Sequence, residues 1–249
     1  MNNIKDIKQI HQNQTLDDFI LSFSYDTETL YFNYIKNDHI SNSWKRKIFY
    51  EDRLLEKIKS LNLNGLYVDV GSHHGNHSIF FDKFCSSDKV ISIEGNPFNF
   101  NYLKKNITQN RCKNILYNTI ISDKVSETLT MQYSLSNTGG SFVIKSEIDF
   151  EIGISDTKNI ISNTTNTLDN LLKKEENITL IKLDIENYEY YALLGGQNII
   201  TKYKPIIVIE LHKTNPYYNE IINFLNKNNY KTDGINYACS PTFIYKATS

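Results

Sequence analysis

The sequence predicts an α/β fold: a mostly parallel sheet with helices on both faces. Three observations carry this reading. From Leu66 onward, apolar runs of strand length alternate with segments of helical length. A strand, a glycine-bearing turn and a helix follow one another in Tyr67–Ser78. Hydrophobic residues make up 40% of the 249, enough to bury a core and to exclude a disordered chain.

The elements follow in order. Residues 1–60 read as a helical extension, with helices over Thr15–Asn37 and Ser43–Ser60. In the second, Ile48, Leu54, Leu55 and Ile58 fall near helical spacing, with Ser43 as a cap. Asn62–Gly65 breaks that pattern, and residues 61–249 form the sheet domain. Leu66–Val70, Lys89–Glu94, Asn114–Ser122, Ile178–Ile185 and Pro205–Leu211 are its strands, and two more close the chain near Lys231 and over Thr242–Lys246. Between them, His77–Cys85, Pro97–Asn110, Thr167–Lys174, Tyr188–Tyr203 and Tyr217–Asn228 suit helices. Pro97 stands at the favoured first helical position, and Gly195-Gly196 interrupts the fourth helix. The polar segment 124–166 breaks the alternation and reads as an inserted hairpin or loop.

Composition bounds the function. A formal net charge of -1 argues against broad electrostatic capture of nucleic acid. No apolar run approaches the roughly 20 residues of a membrane helix. Met1–Gln14 is polar and lacks a signal-peptide core, so the cytoplasm, of a cell or of a virus's host, is the expected location. Cys85, Cys112 and Cys239 are scattered, which argues against a disulfide framework or a structural zinc site.

The turn Asp69-Val70-Gly71-Ser72-His73-His74-Gly75-Asn76-His77 is the strongest local feature. In doubly wound sheets, ligands bind outside the carboxyl ends of the strands, where the strand order reverses. Gly71 allows a tight turn and close approach of a ligand, and the following helix offers free N–H groups. Ser72, His73, Gly75, Asn76 and His77 complete this candidate binding turn. It lacks the three close glycines of a dinucleotide fingerprint. Asp69 would repel a pyrophosphate and attract a sulfonium or ammonium, so a cationic nucleoside is the favoured ligand.

Glu94 ends a strand about 20 residues later, where an acid can accept hydrogen bonds from both ribose hydroxyls. Asn96-Pro97 starts the next helix behind it. Ser122-Asp123 ends the third strand, either as an adenine-binding pair or as a turn starter. Lys182, Asp184 and Glu186 share one face of a strand that should be apolar, which is costly unless they are paired or near an active edge. Lys182 reads as an ion-pair partner and Asp184 as a functional acid. Glu210 and His212 end an apolar strand two residues apart; His212 is either a general base or a group that caps or orients substrate.

In this order the motifs resemble the FkbM family of S-adenosylmethionine-dependent methyltransferases, over roughly residues 48–212. The motifs are Asp69–Gly75, Glu94–Pro97, Ser122-Asp123, Thr167–Asp169, Ile181–Glu186 and Pro205–Glu210. The resemblance implies a seven-stranded Rossmann-like sheet and O-methylation of a sugar, glycan or other small hydroxyl compound. It also implies that Asp69 and Gly71 flank the methionine part of the cofactor, Glu94 the ribose and Ser122-Asp123 the adenine, with Asp184 and Glu186 beside the transferred methyl. The family usually has Gly where this chain has Asn187, a residue that tolerates left-handed backbone, and small residues or Asn where it has His73-His74. His74 would touch substrate or cap the helix.

Removal of a hydroxyl proton needs a base or a metal, and the candidates are Asp184, Glu186, Glu210 and His212. A divalent cation such as magnesium at Asp184 is a further expectation. The helical extension, with Tyr50 and Glu51, would cover the cofactor or pair two subunits in a homodimer. The competing readings are a nicotinamide-dependent oxidoreductase or epimerase, which the missing third glycine disfavours, and an inactive binding protein of the same fold.

Overall fold

The computed structural model describes residues 19–36, 38–144 and 159–248. Met1–Gln14 lies outside the described residues, as do Thr15–Asp18, Asn37 and residues 145–158 of the inserted segment.

The chain opens on a correction. The stretch expected to be helical up to Asn37 is an antiparallel hairpin, β1 (Phe19–Tyr25) and β2 (Glu28–Tyr34). Period two wins because the apolar residues buried on each strand lie on one face: Phe23 on β1, and Leu30 and Phe32 on β2. Asp26 takes the left-handed backbone that the two-residue turn needs (φ 49°). Two helices follow, α1 (His39–Lys45) and α2 (Asp52–Ser60). Phe32 stacks on Trp44 at 4.3 Å, and Phe23, Phe49 and Phe80 close the aromatic cluster that fastens this extension to the sheet domain.

The sheet domain runs β3 (Gly65–Val70), α3 (Asn76–Phe84), β4 (Ser87–Glu94), α4 (Pro97–Gln109), β5 (Ile115–Asn118) and β6 (Ile120–Ile121). The inserted segment contributes a hairpin, β7 (Thr128–Ser134) and β8 (Asn137–Val143), and β9 (Asn159–Asn166) returns from it. Then come α5 (Leu168–Leu171), β10 (Ile178–Leu183), α6 (Glu189–Gly195), α7 (Gln197–Tyr203), β11 (Ile206–Glu210), α8 (Tyr218–Lys227), β12 (Tyr230–Thr232) and β13 (Thr242–Ala247). The third expected strand divides at Thr119, whose hydroxyl donates to Thr164 O, so β6 leaves the main sheet to pair with β9.

The main sheet has seven strands in the order β12-β13-β11-β10-β3-β4-β5. All pairs are parallel except those made by β13. The order reverses between β3 and β10, so the crevice expected to take a ligand opens at Val70 and Leu183. A four-stranded sheet, β6-β9-β7-β8, stands beside this edge.

Strand alternation divides the core into two layers. Val68, Val70, Ile181, Leu183, Ile207 and Ile209 face α6–α8, while Tyr67, Leu180 and Val208 face α3 and the N-terminal extension. Full burial of each aliphatic side chain contributes about 1.5–3 kcal/mol. Lys182 and Asp69 share the parity of Leu180 and Tyr67, so both charges lie inside the second layer, fully covered. Among the described residues no helix is long and apolar enough to cross a membrane.

Candidate active site

An open cavity of about 780 Å³ lies at the reversal point. Its floor is Val70–His73 after β3, Ile93–Gly95 after β4 and Asp184–Glu186 after β10. Asn76 and His77 from the first turn of α3 enter from one side, and Thr119–Ile121, Met131, Val143 and Tyr188 form an apolar wall on another. Ile40 and Tyr50 of the N-terminal extension and Gly139 and Ser141 of the β8 strand complete it.

The turn after β3 is built for close approach. Gly71 and Ser72 both donate to Ile93 O at 3.0 Å. Gly71 has φ +83°, and a Cβ there would lie 1.8 Å from Asp184 O, so only glycine fits between the ends of β3 and β10. His73 also takes a left-handed backbone (φ 50°), which aims its N–H at Glu94 Oε2, 2.8 Å away. Asn96 N–H donates to the other oxygen at 2.8 Å. Burial pushes the Glu94 carboxyl up to about 7, and these two bonds oppose the rise.

Several expected residues are not on the cavity wall. Asp69 lies beneath the turn, where it accepts from Ser78 Oγ at 2.5 Å and faces Lys182 Nζ at 3.5 Å. Strand parity turns it toward α3 instead of the ligand crevice. Gly75 is the N-cap of α3, packed near Leu103. Asn96 caps α4 through Phe98 N–H and reaches Ser141 Oγ. Ser122 and Asp123 bond to each other past the wall, and the Ser122 carbonyl fills the space that Gly195 leaves free of a Cβ. Thr119–Ile121 take their place in the cavity. His212 is half-exposed and lies 3.1 Å from Glu210 Oε1, in a second cleft of about 550 Å³. That cleft is lined by Glu186, Asn187, Glu189, Glu210, His212, Thr214 and Asn215 and shares Glu186 with the first.

Lys182 makes the expected ion pair. Its ammonium lies 3.1 Å from Asp184 Oδ2 as well as facing Asp69. Burial opposes its charge, but Asp184 and Asp69 outweigh burial and keep it protonated. Burial also opposes ionisation of Asp184, yet Lys182 and a hydrogen bond from Glu210 hold its carboxyl well below the usual range. Glu210 is pushed up to about 10 by burial and by that bond, so it keeps the proton it donates to Asp184. Glu186 is pushed up to about 7, by burial first and then by Asp184 and Glu189. Asn187, at the position where glycine was expected, takes φ 69° beside Glu186 at φ 49°, so the turn keeps its left-handed course.

Two groups of possible cation ligands lie among the described residues. At Asp184 the Lys182 ammonium, 3.1 Å from Oδ2, opposes a second cation beside that oxygen. Asp38, His73 and His74 bring ligating atoms within 4.8 Å of one another. However, both Asp38 oxygens already accept, from Ser41 N–H and Oγ and from Thr138 N–H and Oγ1. The two imidazoles stack face to face at 3.7 Å, so their in-plane lone pairs do not converge. His74 neither touches the cavity nor caps α3; it bonds Asn99 Oδ1 through Nε2. The cluster ties α1 and the β7–β8 hairpin to the binding turn.

Tyr50, named as a possible cover for the cofactor, lines the cavity, and Ile40, Met131, Val143 and Tyr188, which no motif singled out, line it too. The hairpin expected within 124–166 supplies Met131 and Val143.

The model of the Methyltransferase FkbM domain matches residues 69–232, two thirds of the chain. This chain belongs to the FkbM methyltransferase family. The match spans the binding turn, Glu94 and the Lys182–Glu186 segment. Among solved structures, the FkbM methyltransferase of Methylobacillus flagellatus is 16% identical with a TM-score of 0.48, covering 72% of this chain and 42% of its own. This FkbM chain therefore spans less than half of that relative's length. The precorrin-6y C5,15-methyltransferase of Geobacter metallireducens is 12% identical, covers 80% of this chain and 88% of its own, and has a TM-score of 0.45. The Pyrococcus abyssi tRNA (uracil-54, C5)-methyltransferase, solved with S-adenosyl-L-homocysteine, is 12% identical with a TM-score of 0.48, covering 91% of this chain and 43% of its own. Comparison with curated proteins gives no match.

Proposed function

We propose that this chain transfers a methyl group from S-adenosylmethionine to a hydroxyl of a sugar, glycan or other small molecule. The observation that carries the reading is Glu94. Its two oxygens have about four acceptor positions, of which backbone N–H groups fill two. One position per oxygen is left for a vicinal diol such as a ribose.

The other residues fit the same ligand. Ile93, Ile120, Met131, Val143 and Tyr188 offer an apolar slot for a base. Gly71 gives the backbone clearance, and the ionised Asp184 lies where a cationic sulfur centre is favoured. The bound cofactor supplies an electrophilic methyl; the chain supplies position and electrostatics. Asp184, fixed by Lys182, orients the acceptor hydroxyl. Glu186, Glu210 and His212 of the adjoining cleft hold the acceptor's other polar groups. Ile40 and Tyr50 of the N-terminal extension cover the cavity.

Calorimetric titration with S-adenosylmethionine, S-adenosylhomocysteine and NAD tests the reading. Micromolar binding of the first two and none of NAD is the expected result; binding of NAD alone would sink it. Glu94→Ala removes two charge-assisted bonds and strands the His73 and Asn96 N–H groups, so affinity should fall about 100-fold. Because the carboxyl titrates at about 7 and must be ionised to accept from both hydroxyls, S-adenosylhomocysteine should bind about tenfold more weakly at pH 6 than at pH 8. Unchanged affinity in the variant would end the ribose assignment.

Asp184→Asn keeps the size of the side chain and removes its charge. We expect turnover to drop about 100-fold, with S-adenosylhomocysteine affinity within about threefold of wild type. Single-turnover kinetics beside a binding isotherm check this, and full turnover would take Asp184 off the catalytic set.

A further inference from the structure

We propose that His77 takes the proton of the acceptor hydroxyl and that Glu51, from the N-terminal extension, orients its ring. The proposal rests on the reading of the cavity as a site of methyl transfer to oxygen.

His77 lines the cavity that Asp184 also lines, and its Nε2 lies 3.1 Å from Glu51 Oε2. Both side chains are more than nine-tenths buried, and they face each other at ion-pair distance while Nε2 makes no hydrogen bond in this arrangement. Glu51 stands at the N-cap of α2 yet makes no capping bond. Its carboxylate is turned inward instead, from a left-handed backbone (φ 57°) that a non-glycine residue rarely adopts. The strain is held by the neighbouring pair. Tyr50 N–H donates to Asn76 Oδ1, and Asn76 Nδ2 donates to Tyr50 O, both at 2.9 Å. Trp44 Nε1 donates to the same Asn76 oxygen at 2.9 Å. Tyr50 is thus locked to Asn76, and the next residue on each side, Glu51 and His77, is brought into register.

Of the carboxyl groups at the ends of β10 and β11, Asp184 and Glu210 are poorly suited to accept a proton. Asp184 is committed to Lys182 and to the proton of Glu210, which is already filled. A carboxylate beside Nε2 favours the tautomer with hydrogen on that nitrogen. The lone pair is then on Nδ1, which makes no hydrogen bond among the described residues. The charged groups that face His77 are Glu51 from the extension and Asp184 from β10, with Lys182 and Asp69 behind Asp184. Both near neighbours are carboxylates.

The balance is simple. The acceptor oxygen bonds to the methyl carbon as the methyl–sulfur bond breaks with its electron pair to sulfur. The hydroxyl proton passes to Nδ1 of His77, and the imidazolium pairs with Glu51 until water removes the proton.

The test uses the full chain. Nitrogen-detected NMR follows the His77 imidazole, assigned with His77→Gln, in wild type and in Glu51→Gln. Wild type should show the tautomer with hydrogen on Nε2, and its population should fall in Glu51→Gln. An unchanged tautomer population overturns the pairing, and this arm needs neither cofactor nor acceptor. Turnover is measured with S-adenosylmethionine on the best acceptor from a panel of hexoses, polyols and small alcohols. His77→Gln should lose more than 100-fold in kcat and gain rate steadily with pH; Glu51→Asp should recover part of what Glu51→Gln loses. Wild-type kcat in a folded His77→Gln overturns this proposal alone. A wild type that binds no S-adenosylhomocysteine overturns the parent reading and this one together.

Discussion

Gly71→Ala is expected to cost at least about 3 kcal/mol of stability and to abolish cofactor binding. The added Cβ would lie 1.8 Å from the Asp184 carbonyl oxygen and 3.1 Å from Ile185 Cγ2. Neither partner can retreat easily. Asp184 N–H donates to Val70 O, and Leu183 pairs with Val70 in the sheet, so moving Asp184 opens the joint between β3 and β10. Gly71 could not retreat either, because its N–H and that of Ser72 share the Ile93 carbonyl. The positive φ adds its own penalty for any side chain. Thermal unfolding combined with calorimetric titration of S-adenosylhomocysteine checks the prediction. A variant within about 1 kcal/mol of wild type, with normal affinity, would show that the two strand ends are not packed as tightly as described.

That contact is also where sequence reasoning worked best. A glycine two residues after an acid, between an apolar strand and a helix, admits few structures, and Gly71 takes the expected turn. Glu94 was equally legible, because a strand end about 20 residues on is set by the length of one helix and one strand. Asn187 kept the left-handed turn expected of it for a local reason, since its short polar side chain tolerates that backbone. The misreadings have a common cause: each depended on what an element packs against. The hairpin of β1 and β2 has an ambiguous pattern, and it is a hairpin because Phe23, Leu30 and Phe32 meet Trp44 and Phe49. Asp69 was assigned to the ligand from its place beside the turn, but its parity directs it to Lys182. Ser122-Asp123 was placed by analogy of strand ends, and the chain leaves the main sheet at Thr119, before reaching them. The Glu51–His77 pair joins residues 26 positions apart through a clamp that no local pattern shows.

Lys182→Met should destabilise the fold by about 3–5 kcal/mol, the usual cost of leaving a buried charge without its partner. Lys182 is 2% exposed, and Asp69, at 0%, faces it from the adjacent strand. Methionine fills nearly the same volume, so the loss reports charge and not a cavity. The pH dependence gives the sharper check. In wild type, the lowered Asp184 carboxyl contributes stability that is present above its unfolded value of 3.8 and is lost as pH falls below it. In Lys182→Met, Asp69 is a buried carboxylate without a cation, and its folded pKa rises above the unfolded value. Its contribution is then fully present below the unfolded pKa and is lost as pH rises through the folded one. Glu94, Glu186 and Glu210 are raised in both proteins, so both lose stability as pH rises through the mildly acid range, and the variant should lose it more steeply. Denaturant unfolding at several pH values measures it. Adding Asp69→Asn to the variant should remove the new slope and return part of the stability, since the stranded charge is gone. If the double variant is as unstable as the single one at every pH, the penalty comes from packing, and the ion pair is not what holds β3 and β10 together beneath the site.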